Sequence, residues 1–170
     1  MTERVSIYLA APLFGIADRH HNLLLARELE KLGYLVVLPQ KEANKFFDGT
    51  KFDVMGICKD CRSQSMNCKV IVANLDGPDA DSGTSTEVGM AHATAMIAKS
   101  IPGYIPSQPI VICFRTDFRT SIEHEVGYNA MFNLADKVIY KPAYVNTLEE
   151  VSQFYKELAK KIDEAIKELS

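Results

Sequence analysis

The sequence contains no run approaching the roughly 18 consecutive apolar residues that a membrane-crossing helix requires, so no membrane partner is expected. It also lacks an excess of basic charge. Lys and Arg number 19 against 22 Asp and Glu, a net charge of −3, and this argues against a surface built to neutralise nucleic-acid phosphates. At the start, Met1-Thr2-Glu3-Arg4 runs straight into Val5-Ser6-Ile7-Tyr8-Leu9, with no apolar segment ahead of a small-residue cleavage site. No secretion signal is read there, and a cytoplasmic location is expected.

Cysteine is scarce: Cys58, Cys61, Cys68 and Cys113, which a reducing compartment would keep as thiols. Cys58-Lys59-Asp60-Cys61 is a CxxC, but a four-sulfur zinc site needs a second pair and Cys68 stands alone. A redox CxxC sits where a strand meets a helix, whereas Ile57 to Met66 reads as mid-helix. The pair is therefore read as plain buried or half-buried thiols. His20, His21, His92 and His124 show no metal spacing with one another or with a carboxylate, and all four read as structural or solvated. Neither a metal nor a cofactor is expected.

What is present is a soluble globular composition, 170 residues with 47% apolar and 24% charged, enough for a single domain spanning 1–170. Apolar, β-branched runs at Val5–Ala11, Tyr34–Leu38, Lys69–Leu75, Ile110–Phe114 and Lys137–Tyr140 predict strands covered on both faces. Helical patterns lie between them. Asn22–Leu32 carries Leu25, Leu29 and Leu32 on one stripe and stops at Gly33, a left-handed cap. Val54–Met66 and Thr84–Ala98 follow, and a last helix covers about 147–169. That helix opens on a capping box, Thr147-Leu148-Glu149-Glu150, with Leu148, Val151, Tyr155, Leu158, Ile162, Ala165 and Leu169 along one stripe. The alternation predicts an α/β fold with a parallel sheet and helices on both faces. Gln40–Asp53 and Ser100–Pro109 break the rhythm; the first reads equally as a lid over a site and as a surface loop.

Ligands of open parallel sheets bind beyond the carboxyl ends of the strands. After the third strand, Asp76 to Glu87 places four carboxylates among glycines and small hydroxyls at the mouth of a helix. Two readings stand side by side. Thr84-Ser85-Thr86-Glu87 is itself a capping box, and Asp76-Gly77-Pro78 alone makes a turn. Alternatively, a carboxylate kept ionised by helix-terminal amides suits a nucleophile, and a second carboxyl nearby suits a proton donor. That is the equipment of retaining glycosyl transfer.

Tyr8-Leu9-Ala10-Ala11-Pro12-Leu13-Phe14, Asp81-Ser82-Gly83-Thr84-Ser85-Thr86-Glu87-Val88-Gly89 and Asn129-Ala130-Met131-Phe132 together resemble the nucleoside 2-deoxyribosyltransferases, from the first strand to about Tyr140. The resemblance implies a flavodoxin-like three-layer sandwich with about five parallel strands. It implies transfer of a 2-deoxyribosyl group between purine or pyrimidine bases through a covalent glycosyl-enzyme ester, as in nucleoside salvage. By the same resemblance, Glu87 is the nucleophile, Asp81 contacts the base and moves its proton, and Asp60 holds the sugar or assists protonation. Tyr8 fixes the direction of the nucleophile. Asn129 reaches a neighbouring subunit's site to contact the 5′-hydroxyl, which implies a homo-oligomer.

Ala10, Pro12, Leu13, Phe14, Gly83 and Met131 are the further substrate-binding candidates, though Phe14 and Met131 read equally as core. Asp117, in Arg115-Thr116-Asp117-Phe118-Arg119, would either read an exocyclic amine or tie a loop through an Arg–Asp pair. The chain departs from the family pattern in its long final helix, so no terminal carboxylate is assigned to a neighbour's site.

Two rivals remain. A 2′-deoxynucleoside 5′-monophosphate N-glycosidase would need phosphate donors after the first strand, where Ala10-Ala11-Pro12-Leu13-Phe14 offers few. A non-catalytic nucleoside sensor could use the same scaffold without the chemistry.

Overall fold

The computed structural model describes residues 4–101, 108–119 and 127–170. Strands β1 (Ser6–Ala10), β2 (Leu35–Val37), β3 (Val70–Asn74), β4 (Ile110–Arg115) and β5 (Lys137–Tyr140) form one sheet in the order β2-β1-β3-β4-β5. Every pairing is parallel, with Tyr8 level with Val37 on one side and Ile71 on the other. This is the flavodoxin-like, doubly wound order, whose topological switch falls between β1 and β3.

Side chains alternate across each strand, and the alternation assigns them to two cores. Ile7, Leu9, Val70, Val72, Ile112 and Phe114 pack under α1 (Ile16–Lys31) and α5 (Leu148–Leu169). Tyr8, Ala10, Ile71, Ala73, Val111 and Cys113 face the other way, onto the layer of α3 (Val54–Asn67) and α4 (Ser82–Ser100). The same period that buries β1 thus delivers the Tyr8 side chain to the face on which Glu87 sits.

Several boundaries differ from the sequence pattern for identifiable reasons. Helix α1 begins at Ile16, ahead of the expected Asn22, because Asp18 accepts the Gly15 N–H at 3.1 Å and Asn22 points inward. The buried Asn22 amide donates to the Pro12 carbonyl and to Gln40 Oε1, so a polar residue occupies a core-facing position and hides the helical period. Leu32 is 47% exposed and caps the helix instead of extending the stripe, while Gly33 has the left-handed φ of 98°.

Helix α4 starts at Ser82, with the Asp81 side chain accepting the Thr84 N–H at 2.9 Å; the cap is Asp81 and not a box at Thr84. Helix α5 carries the expected capping box, and its buried stripe is Tyr155, Leu158, Ile162 and Ala165, with Leu148 and Leu169 at the exposed ends. The 40–53 segment is neither bare lid nor bare loop. It contains the short helix α2 (Pro39–Glu42), a 3-10 turn at Ala43–Phe46, and a bridge between Phe47 and Phe52 that pairs the two rings. Most of Ser100–Pro109, and His124, lie outside the described residues. No helix among the described residues is long and apolar enough to cross a membrane.

Candidate active site

A cleft of about 600 Å³ opens at the carboxyl edge of the sheet between the loop after β1, α2, α3 and the start of α4. Leu13 and Phe14 wall it from β1, Gln40 and Phe52 from the 40–53 segment, Cys58 and Cys61 from α3, and Asp81, Gly83 and Glu87 from α4. The Tyr8 hydroxyl donates to Glu87 Oε1 at 2.7 Å across 79 positions of sequence. Tyr8 is almost fully buried, and burial together with the neighbouring carboxylate drives its hydroxyl far above the ordinary range. It is a permanent donor and cannot act as a base.

Glu87 departs from the electrostatic expectation. It is the sixth residue of α4, beyond the first turn in which helix-terminal amides hold a carboxylate ionised. Burial pushes its carboxyl up to about 7; the Tyr8 hydrogen bond pulls down against this, and the charge of Asp81 adds to the rise. The group that enjoys the helix mouth is Asp81. Its Oδ2 accepts from the Thr84 N–H at 2.9 Å and from the Thr84 hydroxyl at 3.3 Å, leaving Oδ1 for the cleft.

Of the residues singled out from the sequence, Tyr8, Glu87, Asp81, Gly83, Leu13 and Phe14 come together here. Phe14 is 88% exposed, a wall residue of the cleft and not core. The remainder do not line this cleft. Ala10 is buried in the sheet beneath it, and Pro12 turns towards a cavity on the α1/α5 side, its carbonyl held by Asn22. Asp60 lies on α3 but off the face of Cys58 and Cys61, and its Oδ2 accepts from Gln64 Nε2 at 2.8 Å.

Asp117 also belongs to the α1/α5-side cavity, where it pairs with Arg119 and accepts the Gly77 N–H at 3.3 Å. Those Arg119 bonds hold its carboxyl down at about 2, so the loop-tying reading is the one its geometry satisfies. Asn129 and Met131 line a third cavity, on the α4 face made by Ser85, Val88, Gly89 and His92. Asn129 Oδ1 caps the turn at Ala130–Leu134 through the Met131 N–H at 3.0 Å, and Met131 is 69% exposed, again not core.

Residues that sequence reasoning passed over also face the cleft, notably Gln40 and Arg19. Gln40 is clamped at both ends, Oε1 by Asn22 and Nε2 on the Arg19 carbonyl at 3.1 Å. It follows β2, and applying the carboxyl-end rule to that strand, as to β1, β3 and β4, would have found it. The Arg19 guanidinium donates to the Leu13 carbonyl at 3.3 Å. Among the described residues no cluster of His, Cys, Asp or Glu is arranged to hold a metal ion.

No curated protein matches the sequence. Among solved structures, a conserved protein from Enterococcus faecalis V583 is 22% identical, with a TM-score of 0.61 over 92% of this chain and 99% of that one. A 2-deoxyribosyltransferase from Bacillus psychrosaccharolyticus is 14% identical, TM-score 0.55, over 87% of this chain and 90% of its own. The CMP N-glycosidase BcmB of Clostridium botulinum is 15% identical, TM-score 0.51, over 93% and 98%. At these identities the likeness establishes the fold. The family model described as nucleoside 2-deoxyribosyltransferase matches residues 7–134, a span that holds Tyr8, Asp81 and Glu87, and the chain belongs to the nucleoside 2-deoxyribosyltransferase family.

Proposed function

We propose that the protein exchanges the nucleobases of 2′-deoxyribonucleosides, with Glu87 carrying the 2-deoxyribosyl group between them. The observation that carries this reading is the Tyr8–Glu87 pair at 2.7 Å in an apolar cleft beside Asp81. In its ionised form Glu87 attacks C1′, the C1′–N bond breaks, and the bond pair leaves with the base. Asp81 enters this step protonated and gives its proton to the departing nitrogen. A second base then attacks C1′ from the opposite side, displaces the Glu87 carboxylate and returns a proton to Asp81. Two inversions restore the β configuration. The balance closes as nucleoside plus base giving new nucleoside plus old base, with no cofactor.

Tyr8 holds one Glu87 oxygen so that the other points at C1′, and its hydrogen bond also keeps Glu87 more acidic than burial alone would. Leu13, Phe14 and Phe52 offer the apolar surface on which a flat base can rest. A 2-hydroxyl would press against the nucleophile behind C1′, so ribonucleosides should react poorly. Asn129 is assigned to a neighbouring subunit's cleft, which makes the working unit a homo-oligomer.

Incubation with deoxyinosine and adenine, followed by chromatography, should yield deoxyadenosine and hypoxanthine. A 2′-fluoroarabinosyl nucleoside should leave its label on Glu87; a label elsewhere, or none, overturns the assignment.

One observation favours a second reading, hydrolysis of a nucleotide. Arg19 lines the cleft, and its bond to the Leu13 carbonyl is long enough for an anion to displace. Faster cleavage of a deoxynucleoside 5′-monophosphate than of the free deoxynucleoside, lost in Arg19→Ala, would decide for that reading.

A further inference from the structure

The β3–β4 pairing ends at Asn74 and Phe114, and beyond it the two following loops hold each other through side chains. The Arg115 guanidinium, 2% exposed, donates from Nη1 to the Leu75 carbonyl and from Nη2 to the Gly77 carbonyl at 3.0 Å. In return, the Asp76 carboxylate accepts from the Thr116 N–H, the Thr116 hydroxyl and the Asp117 N–H, at 2.6, 2.6 and 2.7 Å. The Gly77 N–H is held by the Asp117 carboxylate at 3.3 Å. Both backbone groups of Gly77 are therefore fixed. Its φ of 113° is left-handed, and an added Cβ would meet the Asp79 carbonyl oxygen at 3.0 Å, so the turn belongs to glycine.

Desolvating a guanidinium is costly, and an apolar side chain would close this end of the sheet at less expense. Arg115 also leaves its buried Nε without a partner among the described residues. What it supplies, and a hydrocarbon cannot, is a rigid fork bonded to two carbonyls of one loop. The anchored Gly77 stands four residues before Asp81. Pro78, with its fixed φ, follows at once, and the Asp79 carboxylate ties the Ala80 N–H at 2.9 Å. Little slack separates the anchor from the acid.

We propose that Arg115 and Asp76 are positioning residues, their reciprocal clasp between the loops after β3 and β4 setting where Asp81 stands in the cleft. Neither lines that cleft. They act on the reaction only through the place they give to the proton donor, and a displacement of about 1 Å in such a group is worth up to about 100-fold in rate.

This role rests on the base exchange proposed above, and two measurements keep the claims apart. The first compares leaving groups. Hypoxanthine needs the Asp81 proton to depart from deoxyinosine. In 7-methyl-2′-deoxyguanosine the base is already cationic and departs on the C1′–N bond pair as a neutral molecule, with no donated proton. In single-turnover release, Arg115→Lys, which keeps the charge but loses the fork, should lose about 10- to 100-fold with deoxyinosine. With the methylated nucleoside it should stay within about twofold. Thr116→Val, a milder variant should Arg115→Lys fail to fold, should show the same pattern with a loss of about two- to fivefold. In steady-state exchange the loss should fall on kcat and not on KM. In an Asp81→Asn background, Arg115→Lys should cost deoxyinosine nothing further.

The second measurement needs no activity. Amide hydrogen exchange at Thr84, whose N–H the Asp81 carboxylate accepts, should quicken about threefold or more in both variants. Exchange at Glu150, capped in the same way by Thr147 at the start of α5, should not change. Equal losses with the two nucleosides, additivity with Asp81→Asn, or an unchanged Thr84 amide would each overturn the proposal. A quickened Thr84 amide in a protein that releases neither base would sink the reaction and leave the positioning role standing.

Discussion

Two cavities flank the carboxyl edge of this sheet, one on each face, and both are built around carboxylates. In the cavity on the α1/α5 face every carboxylate is met by fixed donors. Asp76 accepts from the Thr116 N–H at 2.6 Å, the Thr116 hydroxyl at 2.6 Å and the Asp117 N–H at 2.7 Å, while Asp117 is clasped by Arg119. In the cavity on the α3/α4 face, Glu87 has one neutral hydroxyl donor and an apolar surround. The consequence is opposite in sign: Asp117 is held down at about 2, and Glu87 is lifted to about 7. Donors stabilise the charged form and make a carboxylate structural, whereas burial with one directing hydrogen bond leaves it reactive.

The contrast is broken most severely by removing the reactive member. Glu87→Gln should lower base exchange by at least about 10⁴-fold, because the covalent route is gone, with circular dichroism unchanged. Tyr8→Phe should cost about 10- to 100-fold in kcat/KM, the worth of a hydrogen bond to a charged group, and should raise the midpoint of the acid limb above 7. In the intact protein, kcat/KM should climb with pH through that midpoint, since the ionised form attacks.

The same burial has a cost in stability. A carboxyl whose folded value, about 7, exceeds its unfolded value, 4.5, binds protons more tightly in the native state, so stability falls as pH rises through that window. At pH 8, Glu87→Gln should therefore unfold at higher denaturant, by roughly 1–3 kcal/mol. No gain, or a loss, would show that the carboxylate is better solvated than its surroundings imply.

Asp117→Asn should do the reverse and do less. Its depressed carboxyl contributes stability that is present above the unfolded value and is lost as pH falls towards 2. With Arg119 facing solvent, the expected loss at pH 7 is about 0.5–1 kcal/mol, and base exchange should hardly change. A large loss of exchange would reassign Asp117 to the substrate. Finally, mixing inactive Glu87→Ala with weakened Asn129→Ala subunits should recover part of the exchange if Asn129 serves a neighbour's cleft, and none if each chain works alone.

The fold was legible because burial on both faces writes itself as consecutive apolar residues. The run Lys69–Leu75 contains β3, every residue of which is buried, and Lys137–Tyr140 coincides with β5. The start of α1 was not legible, since Asn22 occupies a core-facing position that only its bonds to Pro12 and Gln40 explain. In the site, Asp81 through Glu87 stood out by residue type and position after a strand, whereas Tyr8, inside β1, was singled out only through the resemblance to the family. Gln40 and Arg19 did not stand out, being ordinary polar residues whose part depends on which cavity they face.

Local order along the chain determined the strand–helix alternation, the capping of α5 and the family to which the sequence belongs, because periodicity, caps and short motifs are properties of neighbours. Only the tertiary structure decided that Glu87 is buried deeper than the helix mouth, that its hydrogen-bond donor is Tyr8 of β1, and that Asp117 faces the α1/α5 side and not the cleft. Those outcomes depend on solvent exclusion and on contacts between residues far apart in sequence, and neither is encoded in any single segment.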